Sequence, residues 1–456
     1  MFYDEYVMSL EEIRQERIKK LEKLRSLGIN SYPAQTNRTH SVAEALKKFL
    51  ALVKNKKKIR MAGRLMAKRE HGGSAFFDLK DETGKIQIYF KKDILGDEYE
   101  KALEVLDVGD FLEAGGKLFK TKKGEATLEI TEWIMLVKSL RPLPEKWRGL
   151  QDTEERFRRR YLDLLMNKDV RERFEMRSKI IRHLREFLDK KDFFEVETPI
   201  LQIIPGGATA RPFKTHLNAL NLDLYLRIAP ELYLKELLVG GFEKIYEIGR
   251  IFRNEGIDAV HNPEFTMLEG YIAYQDSGYL RSFLRQMLEK AVRKVNNSPV
   301  AVYEEKSIDF SKPFKEIFYD ELIKESGDFD IAKKSLIQPT FISGFPDEKL
   351  PLAKAEAKNL KKADAFQVIA GGIELIKAFS EENDPLVQRE RFLEQQKLRE
   401  TGDEEAQRLD ENFLEALEYG MPPACGFGIG VDRLAMLLTD AKNIREVVLF
   451  PTLKPK

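Results

Sequence analysis

FRNEGIDAVHNPEFTMLE, residues Phe252 to Glu269, decides how this chain of 456 residues is read. An apolar run, Glu243–Phe252, ends on Arg253 and Glu255. A loop carrying Gly256 and Pro263 follows, and then a second apolar run, Phe265–Tyr274. Turn residues between two strand-forming runs predict a hairpin. Such a hairpin can aim Arg253 at a phosphate while its backbone holds a base. Taken alone, an Arg–Glu pair at a strand end is ordinarily a surface ion pair, and His261 is an ordinary loop histidine.

Outward toward the C-terminus, Phe366–Phe379 reads as strand interrupted at Gly371-Gly372, and Asp384–Gly402 and Glu404–Tyr419 read as helices. Gly426–Thr439 begins as a Gly-rich strand or turn and enters a helix at Asp432-Arg433. Its alternating glycines allow close backbone approach, and Arg433 is placed to clamp phosphates bidentately. Outward toward the N-terminus, Leu224–Ile228 reads as strand and Met176–Lys190 as helix. Phe193–Val196 is a short strand within DFFEVETP, Asp192–Pro199, which alone is structural. Leu280–Val295 is helical, and residues 298–345 mix short elements. No GxGxxG follows a strand, so a dinucleotide fold is not indicated.

Residues 58–138 have a different character. Ile59–Leu65, Ala75–Leu79, Lys85–Phe90, Phe111–Leu118 and Thr127–Ile134 alternate in the manner of strands, with a helix near Gly96–Leu106. This pattern predicts a small closed barrel of the OB type. Such barrels bind single-stranded nucleic acid through aromatic and polar groups on their strands, and Phe76, Gln87 and Glu125 are placed there. Before the barrel, Ser9 and Glu12 predict a capping box opening a basic amphipathic helix over 9–27. Arg141-Pro142-Leu143-Pro144 reads as a stiff linker. The expected division is a helical segment at 1–57, a barrel at 58–140, a linker at 141–150 and a larger mixed α/β domain at 151–456.

Bulk properties narrow the classes. Formal net charge is +1, so nucleic-acid contact must come from local patches. The single cysteine, Cys425, excludes an intrachain disulfide framework and fits a reducing compartment. The acidic opening MFYDEYVMSLEE does not read as a secretion signal, and no long apolar run spans a membrane. A cytoplasmic location is expected.

DFFEVETP, the FRNEG…HNPEFTMLE hairpin and GIGVDR, in this order, resemble the three signature motifs of class II aminoacyl-tRNA synthetases. Pro205–Phe213 (PGGATARPF), Arg227–Lys235 (RIAPELYLK) and the tail LTDAKNIREVVLFP are similar to lysyl-tRNA synthetases in particular. The likeness covers nearly the whole chain. It implies an α+β fold, in which an OB anticodon barrel joins a catalytic domain of antiparallel sheet flanked by helices. It implies ATP and Mg2+ as cofactors, L-lysine and tRNA(Lys) as substrates, and a homodimer packed through DFFEVETP. By the same likeness Arg253 contacts the α-phosphate and the lysine carboxylate, and Arg433 the γ-phosphate. Phe265 stacks on adenine, Glu255 sits near its amino group, and His261 approaches the phosphates. Glu231 and Glu381 surround the ε-ammonium of lysine, with Tyr271 and Phe379 beside it. Glu269 and the backbone of Gly207 hold the α-amino group. Phe76, Gln87 and Glu125 read the anticodon.

The chain departs from that family in three places. Gln367 stands where a metal-binding Glu is usual, and Lys377 where Asn is usual. Glu374, the other expected Mg2+ ligand, is kept. The segment before Gln338 is short. The two substitutions each add about one unit of positive charge, which leaves two readings open: Lys377 stands in for one magnesium ion, or it points away and the site is weakened or altered. Two alternatives stay open on sequence alone: a paralogue that lysylates a protein, and a non-catalytic tRNA-binding regulator with a decayed site.

Overall fold

The computed structural model describes residues 8–144, 150, 152–324 and 326–456. Contacts divide the chain into two compact units, Met1–Gly149 and Leu150–Lys456. The expected linker over 141–150 lies partly outside the described residues.

In the first unit, helix α1 (Leu10–Ser26) opens with the expected capping box of Ser9 and Glu12. Its basic residues are largely occupied. Arg17 is buried and donates to the carbonyls of Val108, Ser139 and Arg141 at 3.0–3.1 Å, and Lys20 meets Asp107 at 2.7 Å. Five strands close a barrel: β1 (Lys58–His71), β2 (Ser74–Lys80), β3 (Lys85–Lys91), β4 (Phe111–Lys120) and β5 (Ala126–Val137), in the order β1-β2-β3-β5-β4. Helix α2 (Asp97–Val105) lies between β3 and β4 in the chain. Period-two alternation builds the core, because Ala75, Phe77 and Leu79 point inward from β2 while Phe76 does not. Gly116 sits at a bulge against β5, where any side chain would strike the Glu129 carbonyl.

The second unit is built on an eight-stranded sheet. Its strands are β6 (Phe194–Glu195), β7 (Lys244–Phe252), β8 (Glu264–Ala273), β9 (Lys315–Phe318), β10 (Thr340–Ser343), β11 (Ala365–Ala370), β12 (Ile373–Ser380) and β13 (Ala424–Gly430). The order is β9-β10-β11-β12-β13-β8-β7-β6, antiparallel except at the outer pairs β9·β10 and β7·β6. One face is buried under α3 (Lys168–Asp189), α5 (Ser277–Asn296) and α8 (Val431–Leu438). Leu184, Leu188, Phe283, Met287 and Leu434 pack there against Leu268, Ile376, Phe427 and Ile429. Burying side chains of this size contributes about 1.5–3 kcal/mol each. The opposite face carries the polar residues of the same strands. Helices α4 (Glu231–Val239), α6 (Pro385–Glu400) and α7 (Glu411–Glu418) complete this side through a second cluster around Leu234, Phe392 and Phe413.

Two expectations about extent are corrected. The helix expected over Glu404–Tyr419 begins only at Glu411, because Asp410 caps it at the Phe413 amide and Asp403 caps the turn at Glu405. Arg399 also holds the carbonyls of Glu404 and Ala406, which keeps that stretch out of helix. Helix α3 starts at Lys168, ahead of the expected Met176.

Candidate active site and nucleic-acid interface

β7 and β8 form the hairpin expected from FRNEG and HNPEF, pairing from Lys244↔Ile272 to Phe252↔Glu264. The loop between them carries Arg253, Glu255 and His261 into a cavity of about 1050 Å3 on the open face of the sheet. Gly207, Glu231, Phe265, Glu269, Tyr271, Gln367, Glu374, Lys377, Phe379 and Arg433 line the same cavity. Glu381 lies behind its wall, fully buried. Thirteen lining residues scattered from 207 to 433 are thus brought to one place by sheet register and two loops.

At one end, three carboxylates converge. Glu231 and Glu269 are each 6% exposed and Glu381 1%. Two of them meet one ammonium of the chain itself: Lys235 Nζ lies 2.7 Å from Glu231 Oε1 and 2.5 Å from Glu381 Oε2. Lys235 is wholly buried, with its ammonium 5.6 Å from the Phe379 ring centre. Glu381 Oε1 has no hydrogen-bond partner among the described residues. Tyr271 donates its hydroxyl to Glu269 at 3.4 Å. Burial pushes the Glu269 carboxyl up to about 8, with Glu231 adding to the push and Arg253 opposing it. Burial also pushes the Glu381 carboxyl upward, and Lys235 pulls the other way. Gly426 must be glycine, since a Cβ there would overlap Glu381 and Tyr271. Gly207 adopts φ +85° and packs its backbone on Glu231 and Ala229.

At the other end lie cations. The Arg253 guanidinium sits 5.2 Å from the Phe265 ring centre and donates to the Ile228 carbonyl at 3.3 Å. Arg433 lies 3.7 Å from Glu374. Its Nη2 is 2.9 Å from His261 Nε2, and Asp258 holds His261 Nδ1 at 2.8 Å. That pairing assigns the proton to Nδ1, since Nε2 must accept from the guanidinium. Asp432 fixes the base of this end. It accepts from Arg177 at 2.7 Å and from the Thr266 amide at 2.6 Å, tying α8 to β8 and α3.

Between the two ends, Glu269, Gly428, Lys377 and Gln367 lie directly opposite one another across β8, β13, β12 and β11. Lys377 extends into the cavity, and burial pushes its ammonium below the usual lysine range while Glu374 opposes the push. Its surface stays open to the cavity, where solvent offsets part of that push. Among the described residues no three His, Cys, Asp or Glu side chains gather as a metal site. The donors present fit one nucleotide-borne magnesium at Glu374, since magnesium needs only one or two carboxylates beside phosphate oxygens and water. They do not fit an ion held by a second carboxylate, because Gln367 and Lys377 occupy that place.

In the first unit, Phe76 stacks on Tyr89 with ring centres 4.6 Å apart. Gln87, buried, donates to Glu125 at 3.0 Å and accepts from Thr127 at 3.0 Å. The three expected residues share one patch of the barrel, and Tyr89 and Phe119, their centres 6.0 Å apart, extend its aromatic surface.

Residues 152–454 match the family described as tRNA synthetases class II (D, K and N), and residues 59–136 match the OB-fold nucleic acid binding domain. A lysine–tRNA ligase of Fervidobacterium nodosum is 45% identical over 98% of this chain and 95% of its own length. Those of Carboxydothermus hydrogenoformans and Clostridium tetani are each 46% identical, over 98% and 97% of this chain and 99% and 96% of their own. The chain belongs to the class II lysyl-tRNA synthetase family. Membership confirms the α+β fold and the OB barrel expected from the motifs. Alignment with the first class II synthetase spans 484 positions against 456 residues here, so gaps separate the two sequences.

Site reasoning from sequence missed Lys235 and Arg177. Lys235 lies four residues after Glu231 on α4, a spacing usually met as a surface pair. Arg177 carries no local signal, because its partners Asp432 and Thr266 are far away in the chain.

Proposed function

We propose that this chain is a lysine–tRNA ligase, working in the cytoplasm, that joins L-lysine to the 3′ end of tRNA(Lys) with ATP. The observation that carries the reading is the charge count at the acidic end. Glu231 and Glu381 share a single built-in ammonium, Lys235, and Glu269 has no cation within ion-pair distance among the described residues. Buried charge must be paired, and lysine brings two further ammoniums. Glu381 and Glu231, with Tyr271 and Phe379, take the ε-ammonium. Glu269 and the Gly207 backbone take the α-ammonium. A neutral side chain would leave the buried Glu381 Oε1 without a partner, which is the basis for rejecting it.

Arg253, Phe265 and Glu255 receive the adenine and α-phosphate, and Arg433 with His261 the outer phosphates. Glu374 is the carboxylate that would hold a magnesium ion arriving with ATP, whose charge further neutralises the phosphates. A lysine carboxylate oxygen bonds to Pα. The Pα–O bond toward Pβ breaks, and its electron pair leaves with pyrophosphate. The tRNA 3′-terminal hydroxyl then attacks the acyl carbon, AMP departs with the electron pair of the acyl C–O bond, and the hydroxyl proton goes to solvent. Catalysis here is positioning and charge stabilisation. The catalytic unit is assigned to 151–456, and the barrel at 58–140 binds the anticodon, with Phe76 stacking and Gln87 and Glu125 facing base edges. A homodimer through the DFFEVETP segment is supported by the exposed stacked pair Phe194 and Phe242.

ATP–pyrophosphate exchange across the amino acids, followed by charging of tRNA, tests the reading. Lysine-dependent exchange with tRNA charging is expected. Exchange without charging would point to a protein acceptor instead, and no exchange with any amino acid would overturn ligase activity.

A further inference from the structure

Lys377 and Gln367 stand opposite each other on β12 and β11, yet neither is used by the other. Among the described residues the Lys377 ammonium makes no hydrogen bond or ion pair. The buried Gln367 Oε1 likewise has no hydrogen-bond partner. On the other side of Lys377 in the same row is Gly428, and beyond it Glu269. Neighbouring strands lie about 4.8 Å apart. The side chains of Glu269 and Lys377 therefore rise from the floor about 10 Å apart, and Gly428 places no side chain between them. A small ligand with an ammonium at Glu269 and its anionic end turned along this row would meet Lys377.

We propose that Lys377 Nζ is a built-in cation of the adenylation centre, binding the α-phosphate of the nucleotide and the carboxylate of the amino acid where they meet. It supplies charge there that an ion held by a second carboxylate would otherwise bring. The inference rests on the ligase reading for its amino-acid half. Its nucleotide half stands on the cavity alone. Gln367 belongs to the same device: an amide leaves the ammonium free for substrate, whereas a carboxylate at that position would pair with it.

The test is ATP binding, measured by calorimetry without amino acid, first in excess chelator and then in saturating magnesium. The full chain is compared with Lys377→Gln, Lys377→Arg and Gln367→Glu, each checked for an unchanged melting temperature. The parent is expected to bind ATP in chelator. Lys377→Gln should lose about tenfold there and less in magnesium, since a charged donor to phosphate is worth more than one kcal/mol. Lys377→Arg should restore binding. Gln367→Glu should weaken it, and the half-saturating magnesium for pyrophosphate exchange should rise in both weakened variants. Unchanged ATP binding in chelator by Lys377→Gln overturns the proposal, whatever exchange shows. A parent that binds ATP through Lys377 but exchanges with no amino acid overturns the ligase reading instead.

Discussion

Glu381 is a buried carboxylate that shares one ammonium of the chain and, in the proposed complex, receives a second from the substrate. Its replacement by Gln should cost lysine recognition about 3 kcal/mol, roughly 150-fold in kcat/KM for lysine, with ATP affinity unchanged. Pyrophosphate exchange at varied lysine checks this, and a loss carried equally by ATP would contradict it. Glu269 sets a pH signature. Its ordinary value is 4.5 and the folded chain raises it to about 8. A carboxyl raised in this way binds more protons folded than unfolded, so stability falls as pH climbs from about 4.5 to 8. Lysine, pairing its α-ammonium with Glu269, should flatten that fall and release protons on binding. Calorimetric melting across this range, with and without lysine, reads both, and parallel curves would sink the assignment. At this scale the acids were legible because they sit in recognisable motifs. Lys235 was not, since only tertiary burial separates it from a surface pair at the same spacing.

The strand β13 illustrates what an element adds. Its glycines at 426, 428 and 430 occupy alternate positions, so all three face the cavity while Phe427 and Ile429 face the helices. The sequence shows a Gly-rich segment and leaves strand or turn undecided. Pairing with β8 and β12 resolves it. Gly426→Ala would drive a methyl into Glu381 and Tyr271, and is expected to lower stability by about 1–3 kcal/mol and raise KM for lysine more than KM for ATP. A variant with parental lysine KM and melting temperature would show that these side chains move aside freely. Long amphipathic elements such as α5 were plain from periodicity. The strands β9 and β10 were not, because each has four residues and they pair in parallel across an intervening segment. Their identity comes from neighbours and not from their own pattern.

Over the whole molecule, amino-acid activation and anticodon contact belong to separate units, and their readouts should separate too. Phe76→Ala removes one stacking ring, worth about 1–3 kcal/mol, so KM for tRNA should rise about 5- to 150-fold while lysine-dependent pyrophosphate exchange is untouched. A fall in exchange of the same size would mean that the barrel is needed for activation. Residues 151–456 and 58–140 were separable in the sequence from their different periodicities, 3.6 mixed with 2 in one and almost wholly 2 in the other. What the order of motifs did not reveal is how tightly two neighbouring departures are bound together. Gln367 and Lys377 stand face to face, and that opposition couples what each position can tolerate. A carboxylate arriving first would capture the ammonium. Loss of the ammonium first would leave an amide with neither cation nor metal ligand. Each single step is a loss of the proposed charge, so Gln367→Glu and Lys377→Gln should each be worse than the parent and the two positions should be exchanged together.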